Sequence, residues 1–301
     1  MHMKGKPEFE LVGRETEISQ IRACLKAKRN ILLEGPVGVG KTYLALAVTN
    51  ELGLPVFRVD GDSRYSEQKL SGWFDPPMVV KKGFGSDSFM PGPLVEAMRQ
   101  GGVLFINELN RLPEGVQNVL LPAIDERILS IPRLGEVHAH KNFRVIATQN
   151  PKEFVATSHL SEAILDRFEL VVLDYPSEED EIQIVSHRID DHGNLLSLAA
   201  VRLVRLTRHH PRIRRGASIR AAISVAEIAQ VLLQEGKSFE EAFMSAVLMA
   251  LPTRIEIEHE AEGDDSPRAE VEALLQESAK TILDELSSQE ASDLKKKSQN
   301  S

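Results

Sequence analysis

The residues Gly35-Pro36-Val37-Gly38-Val39-Gly40-Lys41-Thr42 fit the spacing G-x-x-x-x-G-K-[ST]. Glycines so spaced let successive backbone N–H groups turn inward around a phosphate. A helix beginning at the lysine adds the positive end of its dipole. Lys41 can then reach the outer phosphates, and the Thr42 hydroxyl can bind Mg²⁺. The chemistry expected of this segment is the holding of ATP with its Mg²⁺. The alternative is a glycine-rich turn without a ligand. The apolar run Asn30 to Glu34 before it and the apolar stretch Thr42 to Leu52 after it weigh against that, because strand–turn–helix is the context the motif needs.

Three further groups have the residue types such a site would use. Val103 to Ile106 is apolar and ends in Asn107-Glu108. At that place a P-loop ATPase carries an acid for Mg²⁺ and often a glutamate that polarises the attacking water. Glu108 suits the second role. Position 107, where an aspartate is expected, is Asn, so its help to Mg²⁺ would come through a bound water. Thr148-Gln149-Asn150 ends another apolar run, and Asn150 there could orient the water or the γ-phosphate; a turn asparagine is the plainer reading. Leu165-Asp166-Arg167-Phe168 sets an arginine between apolar neighbours, where a salt-bridged surface arginine is again the plainer reading. His138 and His140, and His209 and His210, have no HExxH or cysteine-rich setting, which argues against a structural metal. The run Arg208 to Arg220 holds Arg208, Arg212, Arg214, Arg215 and Arg220. One arginine near a γ-phosphate, with the rest in surface or subunit contacts, accounts for it better than a nucleic-acid patch.

The elements that must position these residues alternate. Short apolar runs at 30–34, 55–60, 102–107, 143–149 and 169–173 read as strands. Helical spacing at 15–28, 42–52, 93–100, 114–125 and 161–166 lies around or between them. Such alternation implies βαβ crossovers and a mostly parallel sheet. After Tyr175-Pro176 the pattern becomes helical only, at 178–192, 195–208, 217–235, 238–250 and 269–286. The expected organisation is a lead at 1–10, a nucleotide-binding α/β domain at 11–175, a helical domain at 176–286 and a disordered tail at 287–301. The chain has 301 residues, 42% hydrophobic and 27% charged, with a net charge of −9. That composition excludes wholesale disorder, collagen and a disulfide scaffold. The acidic balance counts against bulk nucleic-acid binding. The single Cys24 forbids an internal disulfide and suits a reducing cytoplasm. Residues 1–6 lack the apolar stretch of a secretory signal, and no apolar run is long enough to span a bilayer.

The order of these groups resembles the AAA+ ATPases: P-loop, acidic strand end, sensor-1 Asn150, arginine finger Arg167, then an all-helical lid. Phe89-Met90-Pro91-Gly92-Pro93-Leu94, Asn107-Glu108-Leu109-Asn110-Arg111, Ala147-Thr148-Gln149-Asn150-Pro151 and Leu160 to Phe168 are similar to the motifs of the MoxR family. Gly216-Ala217-Ser218-Ile219-Arg220-Ala221 resembles that family's sensor-2 motif. Val12-Gly13-Arg14-Glu15 resembles its segment near the adenine, which makes Val12 a candidate nucleotide contact. The likeness covers about residues 10–250; the CoxD-like members, which assist maturation of carbon monoxide dehydrogenase, are the nearest subgroup. It implies two insertions, a helix-2 insert at 70–92 and a hairpin before sensor 1 at 127–140. The first holds the aromatic pair Trp73-Phe74 and a glycine-rich hairpin candidate at Val79 to Met90. In an extended segment two adjacent aromatics cannot both face one core.

The resemblance implies a P-loop AAA+ parallel-sheet sandwich followed by a helical lid. It implies a cytoplasmic ATPase working as a homo-oligomeric ring, most simply a hexamer, since Arg167 would act on a neighbour's site. It also implies a von Willebrand factor A domain partner and a client protein, a metalloenzyme, remodelled at the cost of ATP. Two other readings stay open. One is a nucleotide-dependent switch with weak hydrolysis, because Asn107 is neutral. The other is a DNA-handling ATPase. GTP is disfavoured by the lack of an [NT]-K-x-D motif.

Overall fold

The computed structural model describes residues 11–150, 160–189, 195–258 and 267–299. The chain divides into two units, Met1–Tyr175 and Pro176–Ser301.

The first unit begins with α1 (Glu15–Lys26), β1 (Ile31–Glu34), α2 (Lys41–Glu51) and β2 (Val56–Asp60). An insertion follows: α3 (Glu67–Ser71), β3 (Gly72–Phe74), α4 (Pro76–Lys82) and β4 (Phe89–Pro91). Then come α5 (Pro93–Gln100), β5 (Val103–Asn107), α6 (Glu114–Asn118) and α7 (Leu120–Asp125). A ribbon of β6 (Ile128–Ile131) and β7 (Gly135–His138) precedes β8 (Arg144–Gln149), α8 (Glu162–Leu165) and β9 (Glu169–Val172). The main sheet has the order β2-β5-β8-β1-β9 and every neighbouring pair is parallel.

Alternation along the strands sends side chains to two cores. Leu104 and Ile106 of β5 join Val145 and Ala147 of β8 against α5 and α7. Val103 and Phe105 join Ile146, Ile31 and Leu33 against α1 and α2. Burial on both faces explains the near-continuous apolar runs. Truncating a side chain such as Phe105, which is 1% exposed, should cost about 3–5 kcal/mol. The polar residues left over are pushed to the strands' carboxyl ends. Glu34 and Gln149 are register partners there, and so are Asp60 and Asn107.

The insertion differs from the expected hairpin at 79–90. Its paired strands are β3 and β4, with Trp73 opposite Met90 and Phe74 opposite Phe89. Residues 76–82 are helical instead. Pro76 and Pro77 occupy the first turn, where no N–H is needed, and Gly83 at φ 76° ends the helix. Trp73 is 47% exposed and Met90 49%. Phe74 packs edge-on against Phe84 and Phe89, with centroids 5.1 and 5.3 Å away. The second ribbon is an antiparallel ladder from Ile128↔His138 to Ile131↔Gly135. The helix expected at 114–125 is broken at Val119, because Pro122 cannot donate to a carbonyl one turn back.

The second unit holds α9 (Glu178–Ile189), α10 (Leu195–His209), α11 (Ile219–Gln234), α12 (Phe239–Ala250) and α13 (Pro267–Gln299). A small antiparallel ribbon, β10 (Ile213–Arg215) with β11 (Glu256–Ile257), corrects the all-helical expectation. The β-branched Ile213 and Ile257 pair across it and are both buried. The tail expected to be disordered from 287 is helical to Gln299. Residues 287–299 contain no Gly or Pro, and extending an existing helix costs no new nucleus. Leu275, Ala279, Ile282 and Leu286 of α13 are buried with α10 and α12 residues.

Candidate nucleotide site

The loop after β1 is shaped by close approach. A Cβ on Gly35 would lie 2.1 Å from the Leu173 carbonyl oxygen, so only glycine lets the chain leave the sheet there. Gly38 and Gly40 have φ of 80° and 92°, the left-handed region. Gly40 caps α2 without a side-chain bond. The first N–H groups of α2 therefore look into the loop with no side chain capping them. Pro36 and Val39 shape the loop from within, Val39 buried and Val37 exposed. Lys41 Nζ donates to the carbonyls of Gly35 at 2.7 Å and Pro36 at 2.8 Å, arching over the loop. Arg14, itself left-handed at φ 65°, donates to the Val39 carbonyl at 3.1 Å and the Asp174 carbonyl at 2.6 Å. That contact ties the Val12–Glu15 segment to the P-loop; Val12 itself is half-buried.

From the loop a row of hydrogen bonds crosses the strand tips. Thr42 Oγ1 donates to Asn107 Oδ1 at 3.1 Å. Thr148 Oγ1 donates to the same oxygen at 3.1 Å and accepts from the Glu108 N–H at 2.9 Å. Asn107 Nδ2 donates to Asp60 Oδ1 at 3.2 Å. Gln149 Nε2 donates to Glu34 Oε2 at 2.6 Å. Glu108 sits at φ 59°, an unfavourable setting for a residue with a Cβ, of the kind found at functional positions. Its carboxylate accepts from Arg111 NH1 at 2.8 Å. Asn150 is buried at the end of β8. Pro151 lies outside the described residues. Burial, and after it the Asp60 charge, raises the Tyr65 phenol above its usual range.

A divalent cation is implied by the nucleotide. Thr42, Asn107 and Thr148 bring hard oxygen donors to one point, which suits Mg²⁺. Among the described residues, no group of three or more His, Cys, Asp or Glu side chains could hold a metal. The ion would thus come with phosphate oxygens and water, as Mg²⁺ usually does.

Two predicted residues are not members of this hydrogen-bonded row. Arg167, just beyond α8, donates to Asp125 Oδ2 at 2.6 Å and the Ala163 carbonyl at 2.5 Å. Arg220 is exposed in the first turn of α11 and makes no ion pair with a described residue. The arginine run before it is mostly used inside its own unit. Arg208 pairs with Glu181, Arg212 with Glu270, and Arg214 and Arg215 with Glu256. Residues missed by sequence reasoning are Thr148 as the hinge of the row, Arg14 as the loop's clamp, and Asp60. Asp60 ends an apolar run just as Asn107 does, and that shared position was the available signal.

The family described as AAA domain (dynein-related subfamily) matches residues 30–168. The gas vesicle ATPase GvpN of Haloferax mediterranei is 32% identical over 225 residues, covering 69% of this chain and 64% of that protein. Gas vesicle ATPase GvpN2 of Halobacterium salinarum is 30% identical over 236 residues, covering 73% and 67%. Among solved structures, the Thermotoga maritima RuvB Holliday junction branch migration motor has a TM-score of 0.53 at 17% identity. It covers 79% of this chain and 70% of that one, a likeness of fold. The matched domain contains the P-loop and the row of strand tips it faces, and with such relatives the chain belongs to the AAA+ ATPases, in the group that includes the gas vesicle ATPases.

Proposed function

We propose that this chain hydrolyses ATP at the interfaces of a homo-oligomeric ring and uses the energy to remodel a client protein. The observation that carries the reading is the continuous row from Thr42 through Asn107 and Thr148 to Glu108. It ties the phosphate loop to the backbone N–H of Glu108, the residue whose carboxylate we assign to the attacking water. Lys41 and the first N–H groups of α2 would hold the phosphates. Bound Mg²⁺ would neutralise charge on the β- and γ-phosphates, held by Thr42 and, through water, by Asn107. Glu108, once released from Arg111, would orient the attacking water, with Asn150 beside it. Arg167 from a neighbouring subunit and Arg220 from the second unit would stabilise charge on the γ-phosphate. The hexameric stoichiometry, the von Willebrand factor A partner, the metalloenzyme client and the CoxD-like subgroup rest on the motif resemblance. The gas vesicle ATPase relatives point to another setting for such work, gas vesicles.

The neutral Asn107 supports a second reading, a binding switch with little turnover. Steady-state ATP turnover against protein concentration separates the two. The ATPase reading expects turnover that rises as rings assemble. Tight ATP binding without turnover above the solvent rate, in assembled protein, would favour the switch.

A further inference from the structure

An asparagine at position 107 raises a problem of orientation that an aspartate would not. Its amide has an acceptor end and a donor end, and either could face the P-loop. Only the oxygen can help hold a cation or its water. Thr42 and Thr148 do not decide the matter, because a hydroxyl both donates and accepts. Asp60 decides it. An ionised carboxylate accepts only, and Asp60 Oδ1 lies 3.2 Å from Asn107 Nδ2.

Asp60 is also held in place. It is the register partner of Asn107 across β2 and β5. The next residue, Gly61, donates its N–H to the Asn107 carbonyl at 2.7 Å. A Cβ on Gly61 would meet the Glu108 carbonyl oxygen at 2.1 Å, so the two strand ends touch as closely as glycine permits. Arg58 also grips the carboxylate, with NH2 2.7 Å from Oδ1, the oxygen that faces Asn107, and Nε 3.0 Å from Oδ2.

We propose that Asp60 is a positioning residue for the Mg²⁺ site. By taking the donor end of Asn107 it keeps the Asn107 oxygen turned to Thr42, so that two strand tips together do the work of a single aspartate on β5. The proposal rests on the nucleotide reading above.

The Asp60→Leu variant tests it, because a side chain of similar size that cannot accept removes the partner of the Asn107 donor end. The amide of Asn107 is then free to turn its NH₂ toward Thr42, whose hydroxyl can accept as well as donate. Free Mn²⁺, read by electron paramagnetic resonance, gives the metal affinity of the ADP complex. Asp60→Leu should weaken it about tenfold, the lower end of what losing a ligand's supporting partner costs. ADP binding in EDTA and the melting temperature should stay at native values. In an Asn107→Asp background, where both side-chain oxygens can accept, the same change should not weaken Mn²⁺ binding. Native Mn²⁺ affinity in Asp60→Leu, or an equal loss in both backgrounds, would overturn the proposal and leave the nucleotide reading standing. A native chain that binds no ADP, with or without Mn²⁺, would instead sink that reading.

Discussion

Lys41 Nζ rests on the carbonyls of Gly35 and Pro36, acceptors that it would exchange for phosphate oxygens under the proposed function. Lys41→Ala should therefore fold normally and lose ATP binding, seen as the absence of a heat of binding in calorimetry. The proposal gives Glu108 a different task. Its ion pair with Arg111 has side chains 30% and 44% exposed, respectively, so it is worth at most about 1 kcal/mol and is easily exchanged. Glu108→Gln keeps the shape and removes the proposed base. We expect unchanged ATP affinity and turnover reduced by roughly 10²–10⁴. Normal turnover in Glu108→Gln would show that another group activates the water. Cys24 has no part in this chemistry: burial, then the Glu169 charge, pushes its thiol pKa up, away from the reactive thiolate.

Strand β3 divides its two aromatics by the two-residue period. Trp73 points to solvent beside Met90, while Phe74 packs among Phe84 and Phe89. Phe84 in turn lies under Arg133 of the β6–β7 turn, 3.9 Å from ring centroid to guanidinium, so the two insertions touch. Substituted separately, the pair should part company. Trp73→Ala should change unfolding free energy by less than about 0.5 kcal/mol. Phe74→Ala should cost more, roughly 1–3 kcal/mol, part of the penalty for a fully buried ring. Equal losses in denaturant titration would mean Trp73 is also a packing residue. In the second unit Glu181, 1% exposed, receives Arg208, 6% exposed, and Arg205. Arg208 also donates to the Ala217 carbonyl just before α11, so this ion cluster joins α9, α10 and the turn carrying Arg220. Glu181→Ala leaves a buried guanidinium without its anion. We expect a loss of about 3–5 kcal/mol by circular dichroism in urea. A loss under 1 kcal/mol would mean the arginines find other partners.

At the scale of the whole molecule the question is whether one chain suffices. Arg167 is occupied by Asp125 of its own chain, in a half-buried pair at 2.6 Å. If it serves a neighbour's nucleotide, that pair must open on assembly. Arg167→Ala should bind ATP normally and hydrolyse it some 10³–10⁵ times more slowly, the worth of such arginines in other P-loop systems. Mixing it with Glu108→Gln protein should restore part of the turnover, because some interfaces then join an intact Arg167 to an intact Glu108. Mixed rings without recovery would argue against action across the interface.

The five parallel strands and the phosphate loop could be found in the sequence because both are local. A strand buried on two faces is a short apolar run, and a phosphate cradle needs glycines and a lysine at set spacing. The polar ends of those runs marked Asn107, Glu108 and Asn150 for the same reason. Other features depended on which segments meet in space. Residues 79–90 contain glycines in any case, but the strands that pair are 72–74 and 89–91, chosen by cross-strand packing of Phe74 on Phe89. Glu181 looks like any acid in a first helical turn until α10 brings two arginines over it. Asp60 and Asn107 are 47 residues apart along the chain. Only the sheet order, with β2 beside β5, sets the carboxylate against the amide. Side-chain type is a property of the sequence, whereas the partner that orients a side chain is a property of the packed sheet.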